Sequence, residues 1–119
     1  MTRESFIKDI PKNITSSHIR SKKQEKEWAK RINGRLTPGS GSGRMKGDVR
    51  KNKIIRIECK TTSKDYFRVT KEMLRKIEDA ALPFDEAPCL IVEFNDGNGN
   101  KVGEVAIFPT YILDRLLLE

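Results

Sequence analysis

The run Ile54-Ile55-Arg56-Ile57-Glu58-Cys59-Lys60 places an acid and a base two residues apart. If it is extended, alternation sends Ile55, Ile57 and Cys59 to one face and Arg56, Glu58 and Lys60 to the other. Glu58 and Lys60 are then neighbours. Glu-x-Lys is also ordinary on solvated strand faces, so it signifies chemistry only if other carboxylates converge on it. Asp48 and Glu25 are the candidates. Clustered carboxylates repel one another, which favours a hard divalent cation, and all-oxygen ligands select Mg²⁺, with Mn²⁺ as a substitute, over zinc. Such an ion acidifies bound water and offsets charge on a phosphodiester. A lysine beside it can orient the attacking water or stabilise developing negative charge.

Convergence can be tested on the hairpin that must hold Asp48. A two-residue turn at Lys51 and Asn52 puts Asp48 opposite Ile55, on the apolar face and away from Glu58. A three-residue turn, Lys51 to Lys53, pairs Arg50 with Ile54, Val49 with Ile55 and Asp48 with Arg56. Val49 then shares the apolar face, and Asp48 falls diagonally beside Glu58, roughly 7 Å away. The three-residue turn is therefore expected, with Asn52 or Lys53 in the left-handed conformation. For Glu25, a helix turning about 100° per residue sets Trp28, Ala29 and Ile32 within about 60° of it, so Glu25 lies inside the apolar stripe while Glu27 faces outward. A carboxylate aimed at a core is paired or holds a metal. Pairing with a nearby lysine is the plainer alternative.

The elements that position these residues follow from pattern and punctuation. Residues 1–20 contain Pro11 and no sustained period, and read as an arm. A helix is predicted from Ser21, where Ser21 and Gln24 have capping-box form, to Gly34. Residues 37–47, rich in Gly and Ser, are a loop. Strands are predicted at Val49, Ile54–Lys60, Cys89–Phe94 and Val102–Phe108, the last two joined by the polar loop Asn95–Asn100. A second helix begins after Thr70, carries Met73, Leu74, Ile77 and Ala81 on its apolar face, and stops before Pro83. A third, from Thr110, gathers Ile112, Leu113, Leu116 and Leu117 on one side, to seal the core or a subunit interface. The expected fold is α/β: a single mixed β-sheet flanked by helices in α/β/α layers, with a closing C-terminal helix. Tyr66 and Phe67 read first as core, and otherwise as a platform for an exposed base.

Composition limits the choices. A chain of 119 residues predicts one domain, here an arm over 1–20 and a core over 21–119. Nothing approaches a membrane span or the apolar core of a signal peptide, so a cytoplasmic protein is expected. Cys59 and Cys89 lack zinc or disulfide spacing and read as buried thiols. His18, the single histidine, has no partners for acyl transfer. The net charge is +7, yet residues 1–64 hold 18 basic and 6 acidic side chains (+12), against 6 basic and 11 acidic in 65–119 (−5). A positive region of that size predicts a phosphate-backbone partner, with nucleic acid ahead of a membrane surface.

Several of these pieces together resemble the PD-(D/E)XK nuclease superfamily and, within it, archaeal and phage Holliday-junction resolvases. They are Glu25-Lys26-Glu27-Trp28, the Gly39-Ser40-Gly41-Ser42-Gly43 loop, Gly47-Asp48-Val49, Ile57-Glu58-Cys59-Lys60, Val69-Thr70-Lys71 and Leu90-Ile91-Val92-Glu93-Phe94, spanning about residues 21–108. Gly47 stands where the motif has Pro, and the short interval from Glu25 to Gly34 leaves Glu27 open as the helix carboxylate. The resemblance implies a restriction-endonuclease-like core in which Asp48 and Glu58 hold Mg²⁺, the Cys59 carbonyl adds a ligand, Glu25 completes the shell and Lys60 serves the nucleophile. It also implies that Ser40 or Ser42 touches a phosphate near the scissile bond, and that Arg35, Arg44, Lys46, Arg50, Lys51, Lys53 and Lys71 contact DNA. The implied activity is paired nicking of four-way junctions by a homodimer in a bacterial, archaeal or phage-infected cell, without a small-molecule cofactor. A nicking, repair or restriction-type endonuclease and a non-catalytic basic module remain as alternatives.

Overall fold

The computed structural model describes residues 16–37 and 48–118, and for residues 16–19 the backbone alone. The element order is α1 (Ser16–Arg31), β1 (Arg35–Leu36), β2 (Val49–Lys51), β3 (Ile55–Thr62), α2 (Lys71–Ala81), a 3₁₀ turn (Leu82–Phe84), β4 (Ala87–Asn95), β5 (Lys101–Ile107) and α3 (Thr110–Leu118). The strands form one five-stranded sheet in spatial order β1-β2-β3-β4-β5. β3 and β4 run parallel and the other neighbours antiparallel. The sheet is mixed because α2 carries the chain from the end of β3 back to the start of β4, whereas short turns join β2 to β3 and β4 to β5. Among the described residues no helix is long and apolar enough to cross a membrane.

β4 lies between β3 and β5, and its Cys-Leu-Ile-Val run is buried on both faces, as expected for a parallel strand covered on each side. Cys89 and Ile91 join Val49, Ile57 and Cys59 in the core beneath α1, with Trp28, Ala29, Ile32, Ile55 and Phe108 packed around them. Leu90 and Val92 alternate to the other face, against which α2 packs with Ile77, Ala80 and Ala81 buried. The Thr70 hydroxyl accepts the Met73 amide at 3.2 Å and caps α2.

Three local expectations are corrected. The α1 helix begins at Ser16 rather than Ser21: no Gly or Pro interrupts residues 16–20, and Gln24 turns into the sheet instead of back toward Ser21. There its amide donates to the carbonyls of Lys60 (2.9 Å) and Ile91 (3.2 Å), tying α1 to both parallel strands. A short strand, β1, follows α1 where no strand is predicted. Gly34 allows it, since a Cβ there would stand 2.5 Å from the Arg50 carbonyl. The β2–β3 loop is three residues long with Lys53 left-handed (φ 63), but it comprises Asn52–Ile54, so Val49 faces Ile57, not Ile55, and Arg50 faces Arg56. Of the predicted apolar side of α3, Ile112 alone is buried, while Leu113, Leu116 and Leu117 are exposed.

Candidate active site

Asp48, the residue before β2, lies against the middle of β3. Its amide donates to the Ile57 carbonyl at 2.8 Å, and its carboxylate Oδ2 accepts the Cys59 amide at 2.7 Å. Asp48 thus leaves the regular β2 ladder and lies along β3 between Ile57 and Cys59, next to Glu58. On the same strand, Lys60 Nζ stands 3.4 Å from Glu58 Oε1, both side chains partly exposed. Glu25 comes from α1 and is buried at 7% exposure.

Electrostatics show that these carboxylates share one neighbourhood. Burial raises the Glu25 carboxyl above its ordinary value, followed by repulsion from Asp48, with Lys22 opposing and Glu58 adding a smaller push. Glu58 is raised by burial and then by Asp48, against the lowering influence of Lys60 and the more distant Lys76. Burial together with Asp48, Glu25 and Glu58 pushes the Cys59 thiol far up, so that it stays protonated. Asp48 is the charge that both other acids feel most, which makes it the hub of the group. Of the two α1 carboxylates, Glu25 is buried and Glu27 half-exposed.

In donor type the set fits a hard cation: three carboxylates, with the Cys59 carbonyl on the strand of Glu58, are all oxygen donors. In spacing it is looser. Among the described residues no three His, Cys, Asp or Glu side chains are drawn together as a ready-made metal cage. They stand at the range of repulsion rather than of shared ligation.

The predicted phosphate contacts divide. Arg35, Lys53 and Lys71 are exposed, and Lys51 partly so. Ser40, Ser42, Arg44 and Lys46, with the Gly/Ser loop that carries them, lie outside the described residues, as do 1–15. Arg50 is a correction: it is 6% exposed and bound to Glu86, with its Nε 2.9 Å from Oε2, so it serves the interior. Across the ladder Arg56 donates to Glu86 Oε1 at 2.8 Å, and the Lys53 amide donates to Oε2 at 3.2 Å. One buried carboxylate thereby holds both strands of the hairpin that leads to Asp48, with the Phe84 ring 4.9 Å from each guanidinium.

Sequence reasoning missed this clamp and two others. Arg20 grips the fully buried Glu93. Glu104 takes the Trp28 indole N–H at 3.1 Å and Arg31 at 2.9 Å. The one available signal was Glu93 itself, a charge within an apolar strand run, which requires a buried partner. No protein-family model matches the chain, and no curated protein matches it either.

Proposed function

We propose that the chain is a Mg²⁺-dependent, structure-selective DNA endonuclease that hydrolyses phosphodiester bonds, acting on four-way junctions as a homodimer that makes paired nicks. The observation that carries the reading is Asp48 as common neighbour of Glu25 and Glu58, beside Lys60. Three acids and one base of the types that the PD-(D/E)XK resemblance implies thus come from α1, the residue before β2, and β3, with Asp48 the acid that acts most strongly on both others. Mn²⁺ would substitute for Mg²⁺.

Asp48 and Glu58 would hold the cation, with the Cys59 carbonyl and Glu25 completing the oxygen shell; when bound it acidifies water and offsets phosphate charge. The remaining work falls to the chain. Lys60, kept near Glu58, presents a compact cation that can orient the nucleophilic water and stabilise charge developing on the phosphorus oxygens. Gln24 fixes the Lys60 carbonyl and so the strand that aims this side chain. Arg35, Lys51, Lys53 and Lys71 supply positive charge for the phosphate backbone, a mode that positions DNA with little base readout. Two scissile phosphates related by a two-fold axis call for two such sites, hence the homodimer. The setting is the cytoplasm of a bacterial, archaeal or phage-infected cell, in recombination or repair.

The test is incubation of a labelled four-way junction, and of a linear duplex of the same sequence, with and without Mg²⁺. Wild type should nick the junction only with the metal. The Glu58→Ala and Lys60→Ala variants should bind the junction and fail to nick it. Equal cleavage of junction and duplex would replace the junction assignment with a general nicking or restriction-type endonuclease. No cleavage of any DNA, with Mg²⁺ or Mn²⁺, would favour a non-catalytic basic module, the reading that the loose spacing of the acids supports.

A further inference from the structure

Immediately beyond the Glu58–Lys60 strand, residues 63–70 cross the end of the sheet to α2. Tyr66 in this crossing is 65% exposed, whereas Phe67 beside it is half-buried. The ring has no place in the core. Lys64 Nζ lies 5.7 Å from its centroid, the arrangement of a cation over a π face. The surrounding charge runs against the local trend. Residues 65–119 are net acidic, yet four of their six basic residues, Arg68, Lys71, Arg75 and Lys76, fall within 68–76, and all four are exposed. Lys71, Arg75 and Lys76 lie on α2, which packs against β3, the strand that carries Glu58 and Lys60.

An exposed ring with a lysine over its face, in the segment that follows the Glu58–Lys60 strand, matches what unpaired nucleotides require: a flat surface for the base and positive charge for its flanking phosphates. We infer that Tyr66 is a stacking platform for an unstacked nucleobase of the DNA strand at the Glu58–Lys60 site, with Lys64, Arg68 and Lys71 on the adjacent phosphates. The inference rests on the DNA reading above and narrows it to substrates that offer an unpaired base near the cut, such as an opened branch point or a single-stranded flank. A fully paired duplex has no base to give, so Tyr66 contributes nothing to binding it.

The experiment compares wild type, Tyr66→Ala and Tyr66→Phe by fluorescence anisotropy without divalent metal, so that binding is read apart from cleavage. The probes are a labelled single-stranded oligonucleotide and a labelled blunt duplex. Tyr66→Ala should weaken single-strand binding at least about five-fold, the lower end of one base–aromatic stack, and leave duplex binding within about two-fold. Tyr66→Phe should behave as wild type, because the face and not the hydroxyl is used. An unchanged melting midpoint confirms that the exposed position does not affect folding. Equal single-strand affinity of wild type and Tyr66→Ala overturns the platform while leaving the nuclease reading intact. Wild type binding neither probe overturns both.

Discussion

Replacing Glu86 with Gln removes one negative charge and little else in shape. The carboxylate is fully enclosed, with side-chain exposures of 7% for Arg50 and 0% for Glu86 in one pair, and 1% and 0% for Arg56 and Glu86 in the other. A surface ion pair is worth about 0–1 kcal/mol, but breaking a buried one leaves an uncompensated charge and costs about 3–5 kcal/mol. Here two arginines share the single carboxylate, and they stand opposite each other on β2 and β3. Glutamine keeps one carbonyl oxygen; its amide turns a donor toward the other guanidinium, which has only donors. The upper part of that range is therefore expected.

With an unfolding entropy of roughly 2.1 cal/mol/K per residue, this chain of 119 residues has about 250 cal/mol/K, so a loss of about 3–5 kcal/mol lowers the melting midpoint by about 12–20 °C. Thermal unfolding followed by circular dichroism measures it. The control is Glu72→Ala, which breaks the exposed pair with Lys76 (67% and 77% exposed) and should move the midpoint by no more than about 2 °C. If Glu86→Gln shifts the midpoint by less than about 4 °C, the pairs are worth no more than surface ones and the clamp reasoning fails.

Glu25 and Glu58 are both held above the ordinary carboxylate value, so the folded state binds more protons than the unfolded chain, and their contribution to stability falls as pH rises from about 4.5 through their raised values. A divalent cation at this site must displace those protons. Millimolar Mg²⁺ should therefore raise the melting midpoint more at about pH 8 than at about pH 5, and an equal gain at both would place any bound metal elsewhere. Gly34→Ala should lower the midpoint by about 4–12 °C, because the new methyl meets the Arg50 carbonyl at 2.5 Å and Ile32 at 3.0 Å and overpacking of that kind costs about 1–3 kcal/mol; an unchanged midpoint in denaturation scans would show that β1 can move aside.

How far the sequence could be read is clearest in the hairpin. Its apolar alternation put Val49, Ile57 and Cys59 on one face, as observed; its register predicted a three-residue turn over Lys51–Lys53 with Asn52 or Lys53 left-handed, and the turn does have three residues with Lys53 left-handed, but over Asn52–Ile54. The register is off by two on β3. A shift of two preserves every residue's face, so alternation is blind to it. What decides is Glu86, which can hold Arg50 and Arg56 together only if they stand opposite each other, and Glu86 lies more than thirty residues beyond Arg50. The start of α1 was hidden for a related reason: Ser21 and Gln24 fit a local cap, but the Lys60 and Ile91 carbonyls, supplied by distant strands, claim Gln24. Glu25 was legible because its position depends on helical period alone. In each case local pattern succeeded, and it failed where a distant polar group chose between locally equivalent options.

The same long-range pairing changes what the charge division along the chain means. The first 64 residues carry the positive excess, yet Arg20, Arg31, Arg50 and Arg56 reach across the fold to Glu93, Glu104 and Glu86 in the acidic half. These arginines go where planar, forked donors matter, and their charge is taken up by carboxylates. The positive surface left for a polyanion is thus largely lysine: Lys22, Lys23, Lys26 and Lys30 along α1, Lys53 at the hairpin tip and Lys71 at the start of α2, all exposed. Lysine meets phosphate as a point charge and reads base edges poorly compared with a bidentate arginine. A DNA partner held this way is selected by the path of its backbone rather than by its sequence, and its affinity falls steeply with salt. That is the recognition the proposed structure-selective nuclease would need: shape, together with the base that Tyr66 would receive, would be the property by which it told one DNA from another.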